Sequence, residues 1–477
     1  MIRYVLLLLA ACTVAGAQAA AQGHAGKIDA LMKKYAEYDQ FNGSLLVAEK
    51  GEVILKKGYG YANIEWEVPN TPDTKFRLGS ITKQFTAMLI MQQVVKGTVK
   101  LEDPVVAYLP AYPLPQGEKV TVRHLLTHTS GTPNYTEFLN IRRDRKAYPL
   151  DSLIATFSGK PLEFEPGSRY KYSNSGYVLL GAILQKAAGT PYERLLSDNI
   201  LTPLGMKNSG YDHFEPIIKK RAAGYEKPVN LENAAFIDMS VPFSAGAMYS
   251  TVEDLYLWDR ALYGDALLPD SAKALYFTPG LGRYAFGWGV QNKPIGNTPD
   301  SVLAIHHGGG INGFNTLIMR IPREQHLIVL LNNTGGARLD EIGRAITGIL
   351  YDSPYDSPRK SIADELAAQI AVKGVAEALA AVPAFKTRKK EYYLSEGEIN
   401  NLGYRYLQVN KTKEAIEVFK LNVAEFPDSW NVYDSLGEAY LNDGQTALAI
   451  ANYEKSVGLN PRNAAGEEVV RRLKQKQ

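Results

Sequence analysis

The sequence predicts an α+β fold. The two ends of one long domain meet in a single antiparallel sheet flanked by helices and carrying an inserted helical subdomain, and an all-α repeat array follows. Three observations predict it. Near the N-terminus the strands Ser44–Glu49 and Val53–Lys57 flank Lys50-Gly51, a tight-hairpin signal. Far downstream, Phe314–Ile321 and His326–Leu331 flank Pro322-Arg323-Glu324-Gln325, with Val302–His306 as a further strand. Strands at both ends with helical patterns between them give a sheet with an insertion. Near the C-terminus, six residues recur at a constant 34-residue offset.

Composition narrows the range of functions. The 477 residues are 45% hydrophobic and 22% charged, ordinary values for a chain with a large core. Fifty-three basic and 50 acidic residues give a net charge of +3, which leaves no electrostatic case for nucleic acid or an anionic membrane surface. The 29 tyrosines hint at a polar-lined groove.

In chain order, residues 1–19 read as an export leader. Arg3 precedes the apolar stretch Tyr4–Ala11, and Ala17-Gln18-Ala19 is an A-x-A cleavage site. The apolar run is too short for a stable membrane span, and no other segment is apolar enough. The expected location is therefore outside the cytoplasm, in a bacterial periplasm. Cys12 is the only cysteine, so cleavage after Ala19 leaves no disulfide, thiol nucleophile or cysteine metal ligand. A second reading stays open: Leu9-Ala10-Ala11-Cys12 resembles a lipobox, which would make Cys12 a lipidated first residue.

The main domain is read as 26–352. It opens with a helix whose Ile28, Leu31, Met32 and Tyr35 share one face. Two Ser-Pro turns, at Ser353-Pro354 and Ser357-Pro358, read as a linker over 353–360. An alanine-rich helical connector occupies 361–396, interrupted at Gly374. Over 397–463, Leu402, Gly403, Tyr406, Ala415, Phe419 and Pro427 recur as Leu436, Gly437, Tyr440, Ala449, Tyr453 and Pro461. This pattern resembles two tetratricopeptide repeats. Because about three are needed for stability, the connector helices are expected to supply the missing layer. Residues 464–477 are left as a C-terminal tail. Such repeats imply a peptide or protein partner.

Two S-x-x-K motifs compete for the chemistry. Ser168-Arg169-Tyr170-Lys171 follows Glu165-Pro166-Gly167 and reads as a turn. Ser80-Ile81-Thr82-Lys83 opens an apolar run that ends at Gly97, so Ser80 sits at the start of a buried helix and Lys83 lies one turn on, on the same face. By itself such a serine is a helix cap and such a lysine a solvated charge. A lysine buried there, however, is costly unless it loses its proton, and that cost makes it a base.

Two further elements complete the set: Tyr172-Ser173-Asn174 and His307-Gly308-Gly309, the latter followed by Gly310. In this order the motifs resemble the serine β-lactamase/DD-peptidase superfamily, most closely its class C and esterase-like branch. Leu125–Pro133, Pro166–Gly181, Pro203–Met206 and Ser244–Asp254 resemble the same family, over about residues 28–352. The resemblance implies that Ser80 attacks an acyl carbonyl while Lys83 and Tyr172 share the base work. It implies that Asn174 bonds Lys83 and substrate, and that the backbone N–H groups of Ser80 and Gly310 form the oxyanion hole. His307, Gly308 and Gly309 would line the substrate site. His307 and Gly308 stand where relatives carry Lys-Thr, which weakens the case for β-lactams and favours a peptide, amide or ester.

No cofactor or metal is expected. His124 and His128 have zinc-pair spacing, but Leu125 replaces the glutamate of H-E-x-x-H. A structural role is expected for both. His306 should face away from His307 along its strand. The implied function is an exported acyl-serine hydrolase. The alternatives are a β-lactamase or non-turnover penicillin-binding sensor, or a scaffold defined by its repeats.

Overall fold

A computed structural model describes residues 23–139, 145–227 and 231–475. The expected leader and cleavage site, with Cys12, lie outside the described residues. The chain forms two compact units. One takes residues up to Glu226 with Asn233–Ser357, and the other takes Pro358 onward with Lys227–Glu232.

In the first unit α1 (residues 23–37) leads into β1 (Gly43–Glu49) and β2 (Glu52–Tyr59). The inserted region contains α2 (Thr82–Lys96) and α3 (Asn174–Ala188). Then come β3 (Gly289–Pro294), β4 (Ser301–Ile311), β5 (Phe314–Ile321), β6 (His326–Asn332) and α4 (Leu339–Leu350). The sheet order is β3-β4-β5-β6-β1-β2, antiparallel throughout. The expected closure of the N-terminal pair onto the C-terminal strands is made by β1 on β6, with Leu45 opposite Leu330.

The side-chain alternation of a strand sends the two faces into two cores. Leu45, Val47, Ile328 and Leu330 pack against Ile28, Met32, Ile342 and Ile346 of α1 and α4. Leu46, Ala48, Val329 and Leu331 pack against the inserted helices, including Ile81 and Phe85. Covering both faces explains why β6 reads as an unbroken apolar run. Helix α2 is buried nearly all round and stops at Gly97. A three-stranded sheet of Phe76–Arg77, Met248–Ser250 and Gly210–Tyr211 was not foreseen, because its strands are too short to show a period.

The stretch expected as a linker is partly docked. The Asn297 backbone N–H donates to Pro354 O at 2.7 Å, and Asn297 Nδ2 donates to Asp356 Oδ1 at 3.1 Å. Backbone groups of a packed segment need partners, and Asn297 supplies them.

The second unit holds α5 (Ile362–Lys373), α6 (Val375–Ala380), α7 (Glu396–Gln408), α8 (Thr412–Glu425), α9 (Trp430–Asn442), α10 (Thr446–Leu459) and α11 (Ala464–Lys474). Ile362, Leu366 and Ala378 of the connector share one core with Leu402, Phe419, Leu436 and Tyr453 of the repeats. They are the missing layer. The repeated glycines are explained by close approach: a Cβ on Gly403 would meet the Phe419 ring at 2.4 Å, and one on Gly437 would meet Tyr453 at 3.0 Å. The segment expected as a tail is largely helix α11. Asn463 caps it and Leu473 is buried in the same core.

Candidate active site

The site forms where the start of α2, the start of α3 and strand β4 converge. Gly79 holds φ at 55°, a left-handed turn that an L side chain resists. This turn presents Ser80 in a short 3₁₀ turn ahead of α2. Strand β4 comes close enough that a Cβ on Gly79 would meet Gly310 N at 2.9 Å, and one on Gly309 would meet Leu78 O at 1.9 Å. Thr316 on β5 fastens the contact by donating its hydroxyl to Leu78 O at 2.7 Å.

Lys83 is fully buried, and burial pushes its ammonium well below the usual lysine range. Its Nζ lies 3.0 Å from Ser80 Oγ, 2.8 Å from Asn174 Oδ1 and 2.8 Å from Ala245 O. Asn174 Oδ1 and Ala245 O can only accept. A neutral amine uses its two N–H bonds on them and turns its lone pair to Ser80, whose hydroxyl then donates to it.

Tyr172 lies on the approach to α3. Lys83 Nζ sits 4.9 Å from the centre of its ring. The ring is partly exposed, but its hydroxyl is shut off from solvent and closes no hydrogen bond within the protein. Burial raises its pKa, with Ser80 the one neighbouring group that draws it down. Tyr172 is therefore a neutral phenol, better suited to relay a proton than to act as the resting base.

A neighbouring stretch laces this region in place. Asn134 Oδ1 accepts from the Asn174 backbone N–H at 3.1 Å, Ser173 Oγ donates to Thr132 O at 3.0 Å, and Ser175 Oγ donates to Pro133 O at 2.6 Å. In front of Ser80 lies a cleft of about 210 Å³, lined by Ser80, Asn174 and Gly310 with Ile237, Val241 and Ile311. Among the described residues no charged side chain lines it.

Residues 27–349 match the family model described as Beta-lactamase. The chain belongs to the beta-lactamase family. Residues 431–463 of its second unit match the Tetratricopeptide repeat model. The beta-lactamase domain is similar to penicillin-binding protein 4* of Bacillus subtilis (strain 168), 31% identical over 357 residues, 70% of this chain and 77% of that one. It is similar to the D-amino acid amidase of Ochrobactrum anthropi SV3, solved with L-phenylalanine, with a TM-score of 0.60 at 25% identity over 70% of this chain and 98% of that one. The octameric penicillin-binding protein homologue from Pyrococcus abyssi also has a TM-score of 0.60, at 28% identity over 69% of this chain and 78% of that one.

Within this beta-lactamase domain Ser80, Lys83, Tyr172, Asn174 and Gly310 come together. His307 lies beside the catalytic group, its ring centre 6.2 Å from that of Tyr172, and is not among the residues that line the cleft. It is buried, its Nε2 lies 2.8 Å from the Tyr284 hydroxyl, and its Nδ1 lies 2.6 Å from Gly308 O. Burial lowers its pKa to about 3, so it is neutral at pH 7 rather than partly charged. Gly308 is exposed outside the cleft lining, and Gly309 serves the approach of Leu78. His306 turns to the other face and meets Gln291 at 2.8 Å.

The pair His124 and His128 does not share a helix. Helix Val122–Leu126 ends before His128, and His124 completes the capping box of Thr121. Among the described residues no cluster of metal-ligating side chains occurs. The second S-x-x-K is a surface turn whose Lys171 pairs with Glu137 and Glu163. Sequence reasoning missed Tyr177 and Tyr284, which wall Lys83 and His307, and the Ala245 carbonyl. The high tyrosine count was the one signal for the first two, and backbone carbonyls leave none.

Proposed function

We propose that this chain is an exported serine hydrolase that turns over a small ester or amide through an acyl-Ser80 intermediate. The observation that carries the reading is the set of neighbours around Lys83 Nζ: two obligate acceptors and the Ser80 hydroxyl.

Neutral Lys83 takes the Ser80 proton as Oγ bonds to the acyl carbon. The carbonyl oxygen gains charge against the backbone N–H groups of Ser80 and Gly310, donors of the kind worth about 2.7–4 kcal/mol each. The Tyr172 phenol passes its proton to the leaving group and regains one from the Lys83 ammonium. Water then attacks the acyl-enzyme, its proton runs the route in reverse through Tyr172 and Lys83 to Ser80 Oγ as the acyl–Oγ bond breaks, and Ser80 is restored with the acid released. The neutral, engaged His307 and the lack of charged side chains among the described cleft-lining residues favour substrates without a carboxylate beside the scissile bond. D-Amino-acid amides and small esters fit this, in keeping with the amidase similarity.

The similarity to penicillin-binding proteins favours a second reading, in which a β-lactam acylates Ser80 and leaves slowly. The leader supports export, and the repeats support recruitment of a peptide or protein. The test is a panel of p-nitrophenyl esters, D-amino-acid amides, D-Ala-terminated peptides and β-lactams, read by turnover and by intact mass. Turnover lost in Ser80→Ala is expected. Equal turnover in Ser80→Ala sinks the reading, and a mass adduct on Ser80 that persists without product supports the second one.

A further inference from the structure

His128 brackets Tyr172 from both sides. Its carbonyl accepts from the backbone N–H of Lys171 at 2.9 Å, and its Nδ1 accepts from the backbone N–H of Ser173 at 3.2 Å. Its imidazole lies against the Tyr172 ring, centroids 4.2 Å apart. Tyr284 and Tyr177 close around the same imidazole at 4.6 and 5.0 Å.

This arrangement carries two costs. The backbone of His128 is left-handed, with φ at 57°, a region that few non-glycine residues adopt. With Nδ1 accepting, the ring proton of the neutral imidazole lies on Nε2, and Nε2 is buried without a hydrogen-bond partner. A strained backbone and an unpaired buried N–H each lower stability, and such residues persist where the surrounding structure needs them. The one segment that both His128 acceptors serve is 171–173.

We propose that His128 is a positioning residue that sets the Tyr172 hydroxyl beside Ser80 and Lys83. Its carbonyl holds the peptide that joins Tyr170 to Lys171, its Nδ1 holds the one that joins Tyr172 to Ser173, and its ring fixes the tilt of the phenol. The inference rests on the acyl-Ser80 reading. Displacing a relay group by about 1 Å can cost 10²-fold in rate without touching substrate binding.

The test uses the full chain with a p-nitrophenyl ester, active sites being counted by the burst of p-nitrophenol. His128→Ala and His128→Phe remove the Nδ1 acceptor. His128→Asn keeps an acceptor oxygen and suits the left-handed backbone. Turnover per active site is expected to fall about 100-fold in His128→Ala and His128→Phe, with KM little changed, and to stay within about fivefold in His128→Asn. In a Tyr172→Phe background, His128→Ala should add almost nothing, since both changes remove the same contribution. Additive losses, or His128→Asn as slow as His128→Ala, would overturn the proposal. If His128→Phe does not fold, the Asn and Ala pair and the cycle decide it. Wild-type enzyme without Ser80-dependent turnover would instead overturn the acyl-Ser80 reading, and this inference with it.

Discussion

At Lys83 two demands conflict. Burial disfavours the ammonium, yet the side chain must keep its amine at hydrogen-bond distance from Ser80. The resolution is a neutral amine, and it makes two pH predictions. First, kcat/KM should rise with pH through an ionisation lying below the usual lysine value, since the free enzyme must lose that proton to act. A pH–rate profile checks this, and a flat profile from pH 5 to about 10 counts against it. Second, His307 is lowered to about 3 in the fold against 6.5 in the unfolded chain. The unfolded state then binds more protons between those values. The stability due to neutral His307 is present above 6.5 and is lost as pH falls through that window. Denaturant titrations at a series of pH values should show His307→Gln with a shallower loss between pH 6.5 and about 4 than wild type.

At the scale of elements, the site depends on how closely β4 approaches the start of α2. A Cβ added at Gly309 would meet Leu78 O at 1.9 Å and the Thr316 hydroxyl at 2.2 Å, closer than any real Cβ contact, whereas the nearest atom to a Cβ at Gly308 is 3.6 Å away. Gly309→Ala is therefore expected to destabilise by about 1–3 kcal/mol and to slow turnover by shifting Gly310 N from the carbonyl position. Gly308→Ala should stay within about 0.5 kcal/mol of wild type. Urea unfolding of the two variants checks the contrast, and equal stability would refute the packing account.

At the scale of the molecule, the two units have separate apolar cores. Thermal unfolding is expected in two transitions rather than one. Leu436 lies in the core of the repeat unit and far in sequence from the site residues. Leu436→Ala should lower only one transition, by about 2–5 kcal/mol, and leave ester turnover per active site unchanged. Calorimetry paired with the ester assay measures both, and a single transition lowered as a whole would contradict this.

Much of this molecule was legible along the chain, for a physical reason. Ser80 and Lys83 are one helical turn apart across the 3₁₀ turn that leads into α2, and local periodicity puts them on one side without any tertiary knowledge. The β1–β2 hairpin and the repeats are likewise local, written in turn residues and in small residues that face a ring one helix away. Tertiary structure decided what distant segments do to one another. It closed β1 against β6, engaged both ring nitrogens of His307 with Tyr284 and Gly308, and set His128 around Tyr172. Those contacts depend on side-chain direction and burial across long sequence separations, and no spacing along one strand or helix encodes them.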